Sequence, residues 1–399
     1  MRILVLGVGK QGSILVKDLI ESRDVSEVIA GDVDIQRVNQ CIDNVASEKV
    51  RGEKIDVTDH PKLVRLMKGD FDVVTNALPW TYSLDVAKAS IEAELSYVDL
   101  GPSPEVFQLD EDAKTAGVTV IPSCGLDPGI DSVVEGYGAR KLDKVEKIHM
   151  WCGGIPQKDT PAYKNPLRYK ISWWWKGVIS TYLGTTKILR NSKLVELERL
   201  TDPEIVRFPE PVGECECFYT GAPLSLIEHL NLKNLRETWS KTVRWPGHCE
   251  IWRKIIALGL TRTDLQLRIG ECSATPLEFL TELGEKTLQY EEGEGDLVVQ
   301  RVNVIGEKNG VKTTYSYEFM DFYDEKKGIT SMARTTAYPC SIAAQMIARN
   351  EIEEKGVIHA GKIGWHPQLA KSFLSELRKR NIHIHETMRK DENDSESSV

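Results

Sequence analysis

The chain has no apolar run of membrane-spanning length, no Cys-x-x-Cys pair and no excess of basic residues. Each absence closes a class of function. A helix that crosses a bilayer needs ~20 consecutive apolar residues, so no membrane role is expected. Lys and Arg number 51 against 60 Asp and Glu, a net charge of −9, and no basic stripe interleaved with aromatics occurs. Nucleic acid is therefore not expected as a partner. The eight cysteines are scattered, and Cys215 and Cys217, one residue apart on an expected strand, would point to opposite faces. That spacing argues against a structural zinc site, and no metal is predicted. Reduced thiols fit a cytoplasmic protein. The apolar start is too short for a secretory signal, and glycines stand where a cleavage region would be.

What is present begins at the first residue. The run Ile3-Leu-Val-Leu6 breaks into Gly7-Val-Gly9-Lys10-Gln11-Gly12, and a helical pattern follows. This order suits a dinucleotide. Gly7 permits the turn out of the strand, Gly9 lets the backbone approach a pyrophosphate, and Gly12 lets helix and strand pack closely. The helix N-terminus supplies free amides and the positive end of the macrodipole. Twenty residues after Gly12 stands Asp32, at the end of a second expected strand, 27–31. A carboxylate there accepts from the adenosine ribose hydroxyls and repels a 2′-phosphate, which favours NAD. Asp32 could instead cap the next helix, although Asp34 is better placed to do so, and Arg37 leaves room for NADP.

At 399 residues the chain can build two domains. Residues 1–123 alternate strand and helix patterns at short spacing, which predicts a Rossmann domain with a doubly wound parallel sheet. Expected strands are 2–6, 27–31, 53–57, 72–76, 96–99 and 118–122. The loops after them should face the ligand and carry Gly7, Gly9, Lys10, Gln11, Gly12, Asp32, Asp56, Val57, Ala77, Leu78, Pro79 and Asp99. Asp56 could take the adenine amino group, and 76–79 could run beneath the nicotinamide ribose. From 124 to 336 long strand patterns with few helices predict an inserted α+β catalytic domain with a mostly antiparallel sheet. Expected strands there include 145–152, 168–173, 193–198, 214–219, 236–244, 296–306 and 312–322. Residues 337–387 read as a helical return to the first domain, and 388–399 as a disordered acidic tail.

Two stretches carry candidate substrate chemistry. In Lys241-Thr-Val-Arg244-Trp245-Pro-Gly-His248-Cys-Glu250, an arginine, a histidine and a glutamate cluster where a strand meets a helix. Arg244 could fork a carboxylate, and His248 could move protons near neutrality. The alternative is a surface histidine with a structural Arg–Glu pair. In Tyr169-Lys-Ile-Ser-Trp173-Trp174-Trp175-Lys176, three adjacent tryptophans exceed what one strand face can bury. At least one should line a cleft or an oligomer interface, which predicts a homodimer or larger homo-oligomer. Asp127, in Gly125-Leu-Asp127-Pro-Gly129, is either a helix cap or a carboxylate aimed into an interdomain cleft.

The stretches 122–131, 151–156 and 169–173 resemble the saccharopine dehydrogenase-like family. The stretches 241–248 and 332–338 resemble its lysine 6-dehydrogenase branch. The resemblance spans nearly the whole chain except the tail. It implies a nicotinamide-linked enzyme with an amino-acid substrate, and one fold can serve several amines. The expected reaction is NAD-dependent oxidative deamination of lysine at its ε-carbon to the 6-semialdehyde. His248 would transfer protons, Arg244 bind the α-carboxylate and Asp127 or Glu250 the α-ammonium, with Lys176, Trp173 and Trp245 lining the substrate. Hydride leaves only from a neutral amine, which implies alkaline activity. The alternatives are a saccharopine dehydrogenase, with Lys176, Arg168 or Arg253 as a further anchor, or a carboxynorspermidine-type reductase. A non-catalytic NAD-binding regulatory protein is the remaining reading.

Overall fold

The computed structural model describes residues 1–390. Its first sheet is built from β1 (Arg2–Leu6), β2 (Glu27–Asp32), β3 (Val50–Lys54), β4 (Val73–Asn76), β5 (Ser96–Asp99) and β6 (Thr119–Ile121). In space the strands run β3-β2-β1-β4-β5-β6, every pair is parallel, and the order reverses at β1. That reversal opens a crevice at the strands' carboxyl ends. Strands buried on both faces carry continuous apolar runs, and Ile3 to Leu6 are fully enclosed.

A second sheet holds β7 (Lys144–Pro156), β8 (Thr185–Arg190), β9 (Lys193–Glu198), β10 (Glu204–Arg207), β11 (Glu214–Gly221) and β12 (Glu237–Arg244). A small separate hairpin, β13 (Leu267–Ile269) and β14 (Cys272–Ala274), follows them. The second sheet is completed by β15 (Asp296–Lys308) and β16 (Val311–Phe322). It is antiparallel except where β12 lies parallel to β7. Strands β15 and β16 alternate buried and half-buried residues, as a sheet with one covered face requires.

The helix Ser331–Ala348 returns the chain to the first domain and packs on the helix Lys10–Glu21. It begins ahead of the expected return at 337. Its start is fixed by Asp296, whose carboxylate accepts from Ser331 N at 2.6 Å and Met332 N at 2.9 Å. A short strand, β17 (Gly356–Val357), then adds to β6.

Three expectations need correction. The third strand lies at 50–54 rather than 53–57. Residues 168–173 form no strand: Arg168 has φ +46, and Ile171 N is taken by Leu288 O from outside any ladder. The tail was expected to be disordered from 388, yet Met388 to Lys390 belong to β18 (His385–Lys390), paired with β16. Ladder bonds to a free strand edge do not depend on apolar side chains. Residues 391–399, the rest of the expected tail, lie outside the described residues. Among the described residues no helix is long and apolar enough to cross a membrane.

Candidate active site

Between the two sheets lies a cleft of about 1020 Å³. One wall is the carboxyl end of the first sheet, with Gly9 to Gln11, Ala77 to Trp80, Leu100, Gly101 and Ser123. The other is a face of the second sheet, where Cys152 and Gly154 of β7 stand beside Ser240, Thr242 and Arg244 of β12.

The glycine-rich loop has the form a pyrophosphate requires. Gly7 takes φ +86, and a Cβ on Gly12 would stand 1.9 Å from Gly7 O, so helix and strand could not meet there. A Cβ on Gly9 meets nothing within 4 Å, because that residue faces open cleft. The helix Lys10–Glu21 has no side-chain cap, which leaves its first amides free for an anion. These residues fit a dinucleotide.

The loop's side chains do something the motif did not foretell. Lys10 Nζ donates to Ile171 O at 2.9 Å and Gln289 Oε1 at 2.7 Å, and Gln11 Nε2 donates to Ser172 O at 3.0 Å. Both were expected on the coenzyme. Both join the two domains.

Asp32 is turned inward and only 5% exposed, accepting from Val8 N and Asp34 N at 3.0 Å each. Asp34 caps the helix Ile35–Val45 through Gln36 N and pairs with the exposed Arg37 at 3.5 Å. Asp56 is exposed and bound to Thr58, which holds its carboxyl below the usual range, and neither it nor Val57 is a wall of the cleft. The strand register explains this: β3 ends at Lys54, so both residues fall beyond it. Ala77, Leu78 and Pro79 do line the cleft. Asp99 does not. It is fully buried, accepting from Ser123 N, Tyr97 Oη and Ser103 Oγ at 2.7–2.8 Å, and burial pushes its carboxyl up to about 6. Its role is to hold the crossing between domains at Ser123.

On the substrate wall, Arg244 is buried, faces the cleft, and lies 4.9 Å over the Tyr169 ring. Its Nε donates to Tyr182 Oη at 3.0 Å and its Nη1 to Val243 O at 2.9 Å. His248 sits behind it and is not a cleft wall. His248 Nδ1 lies 2.7 Å from Leu167 O, and a carbonyl only accepts, so the proton is on Nδ1. Nε2 must then accept from Tyr182 Oη at 3.0 Å, which frees that oxygen to receive Arg244. Burial and the adjacent guanidinium pull the imidazole down to about 3. Both ring nitrogens are engaged and His248 does not line the cleft, so the expected general base has no direct reach to the cleft in this structure and instead supports Tyr182, which holds Arg244.

Three other expected residues lie away from the cleft, two in solvent and one in the core. Glu250 points to solvent and pairs with Lys254 at 2.7 Å. Lys176 is exposed and away from the cleft. Trp245 is buried in the core, donating to Pro156 O at 2.9 Å. Arg168 and Arg253 are held by the carbonyls of Pro246 and Leu200. Trp173 does line the cleft, with Trp174 and Trp80; the Trp80 ring lies 6.2 Å from Trp173 and 4.7 Å from Trp174. Trp80 and Tyr182 carried no local pattern, since each gains meaning only from its partner across the fold.

Asp127 also lines the cleft, with Asp131 behind it and Glu135 one helical turn further along Ile130–Ala139. Asp131 and Glu135 are buried while Asp127 is open to solvent, and desolvation raises all three carboxyls. Both Glu135 oxygens lack a hydrogen-bond partner among the described residues, and none of the three carboxyls has a cation in ion-pair contact there. Asp127 makes no capping hydrogen bond, since the N-cap of Ile130–Ala139 is Gly129, and its place in the cleft lining fits the other expectation, a carboxylate at the cleft.

A family model described as the saccharopine dehydrogenase C-terminal domain matches residues 125–382, and one described as the saccharopine dehydrogenase NADP binding domain matches 3–121. The chain is 25% identical over 407 residues to saccharopine dehydrogenase (NADP(+), L-glutamate-forming) of Schizosaccharomyces pombe, covering 83% of this chain and 87% of that one. It is 30% identical over 256 residues to alpha-aminoadipic semialdehyde synthase of Arabidopsis thaliana, covering 61% of this chain and 23% of that one. The fold matches apo saccharopine dehydrogenase (L-Glu forming) from Saccharomyces cerevisiae with a TM-score of 0.81 at 21% identity, over 97% of this chain and 99% of that one. These relatives carry saccharopine and semialdehyde names, not that of a lysine 6-dehydrogenase, so the expected branch gives way to the family as a whole.

Proposed function

The chain belongs to the saccharopine dehydrogenase family of nicotinamide-dependent oxidoreductases, and from that premise we propose that it oxidises a secondary amine joining a lysine side chain to a second amino-acid skeleton. The reaction is saccharopine plus oxidised coenzyme and water going to glutamate, 2-aminoadipate 6-semialdehyde, reduced coenzyme and a proton. The observation that carries this reading is the meeting, in one cleft, of the glycine-rich loop, the buried Arg244 guanidinium and the solvent-open Asp127 carboxyl.

A nicotinamide coenzyme held by the glycine-rich loop would supply the hydride acceptor for the carbon beside the nitrogen. The protein's part is to hold that carbon in place and to leave the nitrogen neutral. Arg244 is pre-aimed by Tyr182 and His248 and takes an α-carboxylate by a charge-assisted pair of hydrogen bonds. Asp127 is the cleft carboxyl that would accept the amine proton, its proton affinity raised by desolvation at the cleft wall beside Asp131. Trp80, Trp173 and Trp174 cover the cleft and exclude water from the nitrogen, which lowers the amine's own affinity for a proton. At the adenosine end Asp34 pairs with Arg37, and Asp32 closes the second strand; carboxylates at that position repel a 2′-phosphate, which favours NAD over NADP.

The test is absorbance of the reduced nicotinamide with saccharopine or with lysine as sole amine. Reduction dependent on saccharopine is expected. Reduction of equal rate with lysine alone would return the reading to the primary amine.

A further inference from the structure

Most arginines of the second domain meet a carboxylate or leave the cleft, and Arg199 does neither. It follows β9 and lines the cleft, and no carboxylate of the described residues lies within ion-pair distance of it. Its hydrogen bonds go to main-chain carbonyls only: Nε to Thr185 O at 3.2 Å, and Nη1 to Thr181 O at 3.4 Å and Thr220 O at 3.0 Å. Carbonyls fix the plane of the guanidinium without neutralising its charge. Nη2 takes no acceptor from the described residues. Burial already pulls the group's proton affinity down, so a counter-charge is wanted there.

The surroundings suit an anion. Ser180, Thr220, Ser240 and Thr242 share this part of the wall, and a Cβ on the neighbouring Gly221 would meet nothing within 4 Å. The position is also informative. Thr181 holds Arg199 through its carbonyl, and the next residue, Tyr182, holds Arg244 through its hydroxyl. Thr220 sits at the irregularity of β11 where Gly221 faces Ser240, four residues before Arg244 on β12. At ~3.3 Å per residue, Ser240, opposite Gly221, and Arg244 stand about 13 Å apart along β12. A lysine α-carboxylate and the carboxylates of a glutarate arm on its ε-nitrogen are separated by about eight to ten covalent bonds, or roughly 10–13 Å when extended.

We propose that Arg199, with the open space beside Gly221, is a second anion subsite that receives a carboxylate on the nitrogen's second arm. This rests on the secondary-amine reading above and deepens it by naming the side chain that selects for an anionic second arm. Lys176, the anchor expected from sequence, lies outside the cleft, and Arg199 supplies the charge from a different strand connection.

The test uses the full-length protein with coenzyme and three variants, Arg199→Ala, Arg199→Lys and Gly221→Val. Turnover is compared for saccharopine and for an Nε-alkyl-lysine that lacks the second carboxylates. Thermal shifts are read with glutarate and with butyrate. We expect Arg199→Ala to reduce kcat/KM for saccharopine at least 50-fold more than for the alkyl-lysine, with the change in KM rather than kcat. Arg199→Lys should recover part of that loss, and Gly221→Val should imitate it with the arginine intact. Glutarate should stabilise the parent and not Arg199→Ala, while butyrate acts on both alike. Equal losses on the two amines, or a glutarate shift that survives Arg199→Ala, would overturn the subsite. If the parent oxidises no lysine-derived amine but the glutarate shift still depends on Arg199, the subsite stands and the substrate reading falls.

Discussion

The nucleotide wall of the cleft is shaped by main chain, and the substrate wall by side chains that hold one another. On the first wall Gly7, Gly9 and Gly12 matter because they lack a Cβ, and each sits within a few residues of its neighbours. On the second, Arg244 is aimed by Tyr182, which is aimed by His248, which is held by the carbonyl of Leu167. The first kind of site is written in a short stretch of sequence. The second becomes visible only when the chain has folded, because its parts come from three separated segments.

Substitutions at the two walls should therefore fail differently. The largest effect is expected from Arg244→Ala, which removes a buried, desolvated partner of a substrate carboxylate. A fall in kcat/KM of about 10²–10³ follows from the cost of breaking such a pair. Arg244→Lys should recover little, since an ammonium lacks the planar fork. Gly12→Ala comes next: a Cβ placed 1.9 Å from Gly7 O forces the loop apart, and coenzyme titration by fluorescence should show at least about 10²-fold weaker binding. Near-normal affinity would break the contrast between the walls.

His248→Gln tests the chain of side chains itself. As a positioning residue it should cost about 10–50-fold, mostly in KM, and leave the shape of the pH–rate profile unchanged. In an Arg244→Ala background it should add almost nothing, because the two act through one contact. Loss of a titration limb in His248→Gln would instead make the imidazole a proton carrier. A smaller effect is expected at Glu135, whose carboxyl is buried without a partner among the described residues. Its proton affinity is raised on folding, so its favourable share of stability is held below the ordinary carboxylate range and lost as pH rises through the raised value. Glu135→Gln should thus flatten the fall of Tm between the ordinary carboxylate range and about pH 8, a gain of about 1–3 kcal/mol at the upper end of that window. The smallest change is at the adenosine rim. Arg37→Ala should lower kcat/KM with NADP a few-fold and leave NAD use unchanged, and a parent that prefers NADP would reverse the coenzyme choice.

The parallel sheet and its glycine loop were legible because strand, turn and helix signals fall within the first dozen residues. Arg244 and Asp127 were legible as unusual polar residues at element junctions. Their neighbours misled: Glu250 and Trp245 share Arg244's local sequence, yet a strand sends alternate residues to opposite faces and a helix turns its charges outward. The spacing of His248 from Arg244 showed that the two would stand together, but not what the imidazole does, since its tautomer depends on Leu167, far away in sequence. Asp99 looked exposed at a strand's end, but the crossing at Ser123 folds over it. Arg199 showed no signal at all, because its anchoring uses carbonyls that every residue possesses.

Lys10 and Gln11 reach from the coenzyme loop to the carbonyls of Ile171 and Ser172, and that reach bears on how fast the molecule can turn over. Any widening of the interdomain gap must first detach these two fingers, whatever the speed of hydride transfer. Shortening either finger should quicken release, and added viscogen should slow the steady state of the intact protein more than that of the shortened one.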